Sequence, residues 1–316
     1  MRIVSLSFYS GQVERGVEVY VKELSNRLSI ELISLPAPQY TGSESTLLRR
    51  LYLDTTSRAI FQLTRSVLVR LAQHPPDILY PVNNGWQSIL CKLFCLQHKT
   101  KLLLAGHSGP GWDDRVNLWL HPDAFITFSQ AQAKWARGVT KKVPLYVIPH
   151  AVDTNQFKPG KSPLRLSLPR PIILCVASGN KNVSATIKAV NRLKKGSLLL
   201  IGDGPGAIQV PHSQIQNYYQ AADLFTLASS TSEAFGLVYL EALACNKPIV
   251  TIDDDLRREI IGPAGVFIKN PSNIDEYSRG LQKAMDTKWG NIPQVQSQKY
   301  SWSKITPQYE KLFSSI

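Results

Sequence analysis

The sequence predicts an α/β protein with two parallel β-sheets, each covered by helices on both faces. Short apolar runs alternate with helix-like segments along the whole chain, which is typical of such sheets. The length of 316 residues favours two domains over one. A stretch rich in proline and glycine at 159–171 separates the two halves. We therefore expect two Rossmann-like domains facing a cleft, with ligands bound beyond the carboxyl ends of the strands.

The first half shows six strand-like runs and several helical patterns. The predicted strands are Arg2–Phe8, Glu31–Leu35, Asp77–Pro81, Lys101–Ala105, Ala124–Phe128 and Leu145–Ile148. The predicted helices follow the apolar spacing of Val17 to Leu28, Ser57–Leu71, Asn84–Leu96 and Gln130–Arg137.

The second half repeats this alternation and ends in a terminal helix. Its predicted strands are Pro171–Ala177, Ser197–Ile201, Asp223–Leu227, Pro248–Thr251 and Val266–Ile268. Its predicted helices are Val183–Leu193, Ser213–Ala221, Leu237–Cys245, Leu256–Ile261, Asn273–Asp286 and Ile305–Phe313, the last capped near Ser303.

The net charge and the cysteines indicate which class of partner and which cellular compartment to expect. The net charge of +13 and the pI near 9.6 favour an anionic partner, namely a nucleotide, a phospholipid surface or a nucleic acid. No nucleic-acid-binding motif accompanies the basic residues, so we expect no nucleic-acid partner. The four cysteines form no disulfide framework, which is typical of a reducing cytoplasm. The N-terminal run is too short for a signal peptide, and no stretch reaches the length of a membrane-spanning helix.

The segment from Glu233 to Glu241 carries the most information about function. It follows the predicted strand Asp223–Leu227 and opens a helix, so Ala234, Phe235, Gly236 and Leu237 lie at a helix N-terminus. Such a terminus offers unpaired amides and a partial positive charge, which suit a phosphate group. Glu241 lies about two turns further on, where its carboxylate could accept hydrogen bonds from a ribose diol. The alternative is a helix-capping Glu233 with a solvated Glu241.

This segment closely resembles the nucleotide-sugar site of the retaining glycosyltransferases of family 4, which have the GT-B fold. The resemblance covers most of the chain and is strongest over 171–268. It implies that Glu233 contacts the donor sugar and that Glu241 binds the nucleotide ribose. It also implies a C-terminal helix that crosses back to the first domain.

Two loops of the first half also resemble this family. The turn after the first strand contains Arg15 and Gly16, where the family has two glycines, and a glycine there lets amides approach a ligand. The strand Lys101–Ala105 runs into Gly106 and His107. The resemblance implies that His107 contacts the donor sugar, whereas a lone histidine is more often structural.

Loops of the second half complete the expected donor site. Gly179, Asn180 and Lys181 follow the predicted strand Pro171–Ala177, and Lys181 could neutralise a diphosphate. The family normally has an arginine shortly before this lysine, and none is present here, although Arg15 could replace it. Gly202 and the region of Val210 resemble the loops that line the family's base pocket.

We expect no cofactor and no essential metal. Asp253, Asp254 and Asp255 could suggest a metal-bound nucleotide, but three acids before Leu256 are more typical of a helix N-terminus. The helix Ser57–Leu71 places Arg58 and Arg65 opposite its apolar face. That face pattern fits a core-facing helix, and a basic face docked on anionic membrane is the open alternative.

Together with these patterns, the resemblance to family 4 implies a retaining hexosyltransferase that moves a sugar from a nucleoside diphosphate to an acceptor hydroxyl. The acceptor could be a glycan, a lipid-linked molecule or a small molecule. The alternatives are a nucleotide-sugar epimerase of the same fold and a catalytically weak nucleotide-sugar-binding protein. The expected domains are 1–158 for the acceptor, 159–298 for the nucleotide sugar, and a helix at 299–316 that packs on the first domain. The expected location is the cytoplasm, with the inner face of the membrane left open.

Overall fold

The computed structural model describes residues 1–8, 10, 16–36, 46–177, 183–228 and 234–316. Within these ranges the chain forms two compact units. Unit 1 contains Met1–Pro149 and Thr306–Ile316, and unit 2 contains His150–Ile305. Unit 2 is therefore an insertion into unit 1. Its two ends lie side by side, since the Val152 amide donates to the Tyr300 carbonyl at 2.9 Å and Val152 bridges Ser301.

Unit 1 is built on a six-stranded sheet with the strand order β2-β1-β3-β4-β5-β6. Every strand pair in this sheet is parallel. The strands are β1 (Ile3–Ser7), β2 (Glu31–Ser34), β3 (Ile78–Pro81), β4 (Lys101–Ala105), β5 (Ala124–Thr127) and β6 (Leu145–Val147). The helices are α1 (Gly16–Arg27), α2 (Thr46–Arg50), α3 (Thr55–Leu71), α4 (Trp86–His98), α5 (Trp112–Trp119) and α6 (Gln130–Val139).

Helix α3 is a core-facing helix, as its apolar spacing predicts. Val67 and Leu71 are buried in the core of unit 1, and Ile60 and Leu63 pack partly buried against it. Asp54 caps the helix by accepting from the Ser57 amide at 2.9 Å. The arginines on the opposite face are exposed.

Unit 2 is built on a five-stranded sheet with the order β11-β10-β9-β7-β8, again parallel throughout. The strands are β7 (Ile172–Ala177), β8 (Ser197–Gly202), β9 (Leu224–Thr226), β10 (Ile249–Ile252) and β11 (Gly265–Ile268). The helices are α7 (Val183–Asn191), α8 (Ile215–Ala221), α9 (Leu237–Ala244), α10 (Asp255–Ile261), α11 (Ile274–Asp286) and α12 (Ile292–Gln298). The two parallel-sheet units confirm the predicted fold class.

The last helix, α13 (Trp302–Ser315), belongs to unit 1 from Thr306 onward. Within unit 1 the Tyr20 hydroxyl donates to the Tyr309 hydroxyl at 2.9 Å, and both side chains are buried. The contact-based division thus falls at 149/150 and at 305/306.

Three further observations concern membranes, metals and thiols. No helix in the described ranges has both the length and the apolarity needed to cross a bilayer. The described residues contain no cluster of three or more His, Cys, Asp or Glu side chains suited to a metal ion. All four cysteines are free and buried.

Candidate functional site

The start of α9 has an unusual backbone that fixes where the helix begins. Gly236 precedes the helix with φ 94° and ψ 71°, a left-handed conformation that glycine adopts without steric cost. Phe235 is buried and packs against His150 and Tyr300, with ring centroids 5.1 and 6.1 Å away. Ala234 remains partly exposed. Helix geometry leaves the first amides of α9 without intrahelical acceptors, which makes this end suitable for an anion.

The first turn of α9 is bonded to the carboxyl ends of two strands. The Tyr239 hydroxyl donates to the Leu227 carbonyl at 3.1 Å and lies 3.2 Å from the Thr251 hydroxyl. Thr251 donates to the same carbonyl at 2.7 Å. These buried bonds tie α9 to β9 and β10, so its N-terminus lies at the sheet edge where ligands bind in this class of fold.

Glu241 is held by two side chains from the neighbouring segment. The Tyr219 hydroxyl of α8 donates to Glu241 Oε2 at 2.8 Å, and His212 Nε2 lies 3.4 Å from Glu241 Oε1. Glu241 is only 8% exposed, so the alternative of a solvated helix residue does not fit. A nearly buried carboxylate is stable only when its oxygens are hydrogen-bonded, and these two partners meet that need in part.

Several aromatic side chains pack around Tyr219, next to this carboxylate. Tyr219 is fully buried and contacts Phe157 and Phe225 at centroid distances of 5.9 and 5.8 Å. Phe157 also contacts the His212 ring at 6.0 Å. Burial, followed by the adjacent Glu241 carboxylate, raises the pKa of the Tyr219 hydroxyl well above its ordinary value. Tyr219 therefore remains a proton donor to Glu241 at neutral and mildly alkaline pH.

Gly202 ends β8 beside the end of β7, where only a glycine fits. Its φ is 102°, and an added Cβ would lie 2.0 Å from the Ala177 carbonyl oxygen. The Asp203 amide donates to that carbonyl at 2.8 Å. Val210 follows this turn in the next loop and is partly buried. The backbone requirement explains the glycine by itself, and the predicted role of Gly202 and Val210 at a base pocket stays a prediction.

His107 follows β4 in unit 1 and stacks on aromatic rings. Its Nε2 lies 3.0 Å from the Tyr80 hydroxyl, and its ring is 6.3 Å from the Tyr80 ring and 4.9 Å from that of Phe128. The residue is partly exposed, although its Nδ1 is buried. Burial of the ring lowers the pKa of His107 to about 3, so the imidazole is neutral at physiological pH. A neutral imidazole can donate or accept a hydrogen bond without adding positive charge.

The loop that carries His107 is held by two polar side chains that sequence reasoning missed. Gln132 donates to the Gly106 carbonyl at 2.7 Å and accepts from the Phe128 amide at 2.7 Å. The buried carboxyl of Asp114 accepts from the loop amides of Ser108 and Gly109. Burial raises the pKa of Asp114 well above its ordinary value, and these hydrogen bonds lower it in part.

Of the remaining predicted site residues, one lies within the residues that the structure describes. Gly16 is exposed and is the first residue of α1. Five others lie outside the described residues, and their predicted roles stay predictions: Arg15, Gly179, Asn180, Lys181 and Glu233.

The three consecutive aspartates lie at a helix N-terminus, as predicted. Asp254 caps α10 by accepting from the Arg257 amide at 2.8 Å, and Asp253 pairs with Arg258. These contacts account for two of the three carboxylates without a metal ion. The prediction that no metal is needed is not tested by them.

Residues 206–300 match the family model of the glycosyl transferases group 1. The matched segment contains Val210 and the whole of α9, and therefore Glu241 with both of its side-chain partners. His107 lies outside it.

Two proteins resemble the chain over part or most of its length. Over a segment of 104 residues, the chain is 33% identical to O-antigen chain mannosyltransferase B of Escherichia coli. This segment covers 31% of this chain and 27% of that protein. It is 21% identical to the phosphatidylinositol N-acetylglucosaminyltransferase gpi3 subunit of Schizosaccharomyces pombe, over 85% of this chain and 68% of that protein. The chain thus spans about a quarter and about two thirds of these two relatives.

A crystal structure of HepE from Anabaena, in complex with UDP and glucose, has the same fold. It superposes with a TM-score of 0.75 at 17% identity, and the match covers 100% of both chains. The family model thus matches less than a third of the chain, and the superposition shows that the chain shares the two-unit GT-B fold of this structure.

Proposed function

We propose that this protein transfers a sugar from a nucleoside diphosphate to an acceptor hydroxyl, with retention of configuration at the sugar. The observation that carries the proposal is the ordered, nearly buried carboxylate of Glu241 inside the segment that matches the family model. A carboxylate has about four acceptor positions, two on each oxygen. Tyr219 occupies one position on Glu241 Oε2, and His212 occupies one on Glu241 Oε1. The two remaining acceptor positions suit the two hydroxyls of a ribose.

The diphosphate of the donor would bind at the start of α9. The amides there carry partial positive charge, and Gly236 lets the backbone approach a phosphate closely. Lys181 supplies the cation in this proposal, with Arg15 in the place of the arginine that family members normally have. We propose that no metal ion takes part.

The proposed reaction uses no protein nucleophile. The bond between the sugar C1 and the diphosphate oxygen breaks while the bond from C1 to the acceptor oxygen forms on the same face. The proton of the acceptor hydroxyl passes to the departing diphosphate oxygen. Glu233 and His107 would contact the donor sugar as positive charge develops on it, and the neutral imidazole of His107 suits a hydrogen bond to a sugar hydroxyl.

The donor site is tested by calorimetric titration of the purified chain with UDP, GDP and ADP, followed by the 2′-deoxy form of the nucleotide that binds. Glu241→Ala is expected to weaken binding of the ribonucleotide by at least tenfold and to reduce its preference over the deoxy form, because about two hydrogen bonds to a charged group are lost. Glu310→Ala, at an exposed glutamate of unit 1, is the control. In turnover assays Glu241→Ala should raise the donor KM more than it lowers kcat.

The products distinguish transfer from the alternatives. Transfer with retention gives a product whose anomeric configuration by NMR equals that of the donor. Release of a free epimerised sugar without an acceptor would identify an epimerase. Tight nucleotide binding without turnover of any donor would identify a binding protein. If none of the nucleotides binds, the proposed function is wrong.

A further inference from the structure

The imidazole of His107 is held against a buried tyrosine of unit 1. Tyr80 belongs to β3, in the interior of the six-stranded sheet, and its side chain is fully buried. Its hydroxyl lies 3.0 Å from His107 Nε2, and the two rings stack with an angle of 26° between their planes. Phe128, which follows β5, contacts the same imidazole at a centroid distance of 4.9 Å. Two aromatic side chains thus fix the orientation of this ring.

The hydroxyl of Tyr80 determines which nitrogen of His107 carries the proton. A neutral imidazole has one N–H donor and one acceptor nitrogen, and a buried hydroxyl needs an acceptor for its hydrogen. Among the described residues, His107 Nε2 is the one hydrogen-bond partner of the Tyr80 hydroxyl. If Nε2 carried the proton, it would donate to Tyr80, and the hydrogen of that buried hydroxyl would have no acceptor. The tautomer with an unprotonated Nε2 is therefore favoured.

Both groups of this pair are neutral at pH 7. Burial raises the pKa of the Tyr80 hydroxyl well above its ordinary value. Burial also lowers the pKa of His107 to about 3. The hydrogen bond therefore joins a neutral phenol to a neutral imidazole, and no charge competes with the choice of tautomer.

We infer that Tyr80 is a positioning residue that holds His107 in the tautomer with its proton on Nδ1. The Tyr80 hydroxyl donates to Nε2 in this arrangement, so the lone pair of Nε2 is occupied. Tyr80 does not contact the donor itself. It acts through the orientation and the tautomer of the imidazole.

The consequence for sugar transfer rests on the proposed function. There His107 contacts the donor sugar, and the acceptor hydroxyl loses its proton. Because the lone pair of Nε2 is bonded to Tyr80, this nitrogen is not available to take that proton. The proposed transfer of the proton to the departing diphosphate oxygen agrees with this arrangement. Tyr80 keeps His107 as a neutral contact of fixed orientation while charge develops on the sugar.

The test is long-range proton–nitrogen NMR of the full chain at pH 7, with nitrogen-15 in its histidine rings. The chain has six histidines, and the His107→Gln spectrum identifies the signals of His107. Wild-type His107 should show a protonated Nδ1 and an unprotonated Nε2. Tyr80→Phe keeps the ring and removes the donor. It should shift the ratio of tautomers towards the form protonated on Nε2 by about twofold to tenfold, the range that one hydrogen bond gives.

The matched control is Tyr309→Phe. Tyr309 is as buried as Tyr80 and lies in the same unit, but the partner of its hydroxyl is Tyr20 at 2.9 Å. Its replacement removes a buried hydroxyl of the same kind and should leave the His107 tautomer unchanged. In turnover assays Tyr80→Phe should lower kcat by about twofold to tenfold with a smaller change in the donor KM, and Tyr309→Phe should change neither.

Four results would overturn the inference. They are a protonated Nε2 in wild-type His107, an unchanged tautomer ratio in Tyr80→Phe, an equal shift in Tyr309→Phe, and an unchanged kcat in Tyr80→Phe despite a shifted tautomer. Each of these would leave the proposed function standing. Failure of every nucleotide to bind would overturn the proposed function and leave the tautomer measured by NMR as it is.

Discussion

Replacing Tyr219 by phenylalanine is expected to destabilise unit 2 by about 1.5–3 kcal/mol, the usual contribution of a hydrogen bond to a charged group. The substitution keeps the ring, which packs against Phe157 and Phe225, and removes only the hydroxyl that donates to Glu241 at 2.8 Å. Because Glu241 is nearly buried, water cannot fully replace the lost donor. For a body of this size the loss corresponds to about 3–12 °C in Tm.

A double-mutant cycle isolates this bond from other effects of the substitutions. Glu241→Met removes the acceptor with little change in length, and urea unfolding of the two single variants and the double variant gives the coupling free energy. We expect a coupling of about 1.5–3 kcal/mol, constant between pH 7 and 9, because the raised pKa of Tyr219 keeps its hydroxyl protonated.

The neighbouring tyrosine provides the control. Tyr218 is partly exposed, and Tyr218→Phe should change the free energy of unfolding by less than about 0.5 kcal/mol. A coupling between Tyr219 and Glu241 below about 0.5 kcal/mol would show that the carboxylate is not held by the hydroxyl, and would refute this reasoning.

Three other predictions concern His107, Gly202 and metal dependence. The pKa of His107 is lowered to about 3 in the folded chain, so the unfolded chain binds this proton at a higher pH. The free energy of unfolding should therefore fall as the pH drops from about 6.5 towards 3, by at most on the order of 5 kcal/mol. In acid titrations His107→Gln should remove this pH dependence, and His74→Gln, at an exposed histidine, should keep it. Gly202→Ala should lower the free energy of unfolding in urea by several kcal/mol, because its Cβ would overlap the Ala177 carbonyl. The control Gly138→Ala, with no atom within 4 Å of the added Cβ, should be neutral or stabilising. Equal effects of the two substitutions would contradict the argument that the backbone requires a glycine at 202. EDTA should leave donor turnover unchanged, and a loss that Mg²⁺ or Mn²⁺ restores would show that the proposed metal-free mechanism is wrong.

The strands could be predicted from sequence because each is a short apolar run between polar turns. The eleven strands found among the described residues all lie within or close to predicted ranges. The helices that were not predicted are short or irregular. Helix α2 has five residues, α5 mixes tryptophans and charges without a clear period, and α12 has a proline as its second residue. Periodicity over so few residues carries little information.

The candidate site could be predicted only where its residues are close in sequence. Glu241 stands out beside Phe235 and Gly236, but Tyr219 and His212 lie 22 and 29 positions away, and only the fold brings them to the carboxylate. Gln132 reaches the His107 loop in the same way, from helix α6 after the next strand, whereas Asp114 lies on α5, which directly follows that loop. Sequence patterns indicate which face of a helix is buried, and they do not indicate the partner of a buried polar group.

The insertion of unit 2 into unit 1 determines how the chain can be divided. The bond between the Val152 amide and the Tyr300 carbonyl brings the two ends of the insert together. A fragment covering 150–305 would therefore keep its own closing contact, and nucleotide titration could be done on it alone. The complementary body would need a short peptide in place of the insert to join Pro149 to Thr306. Without the last eleven residues it would lose the Tyr309 hydroxyl that accepts from Tyr20.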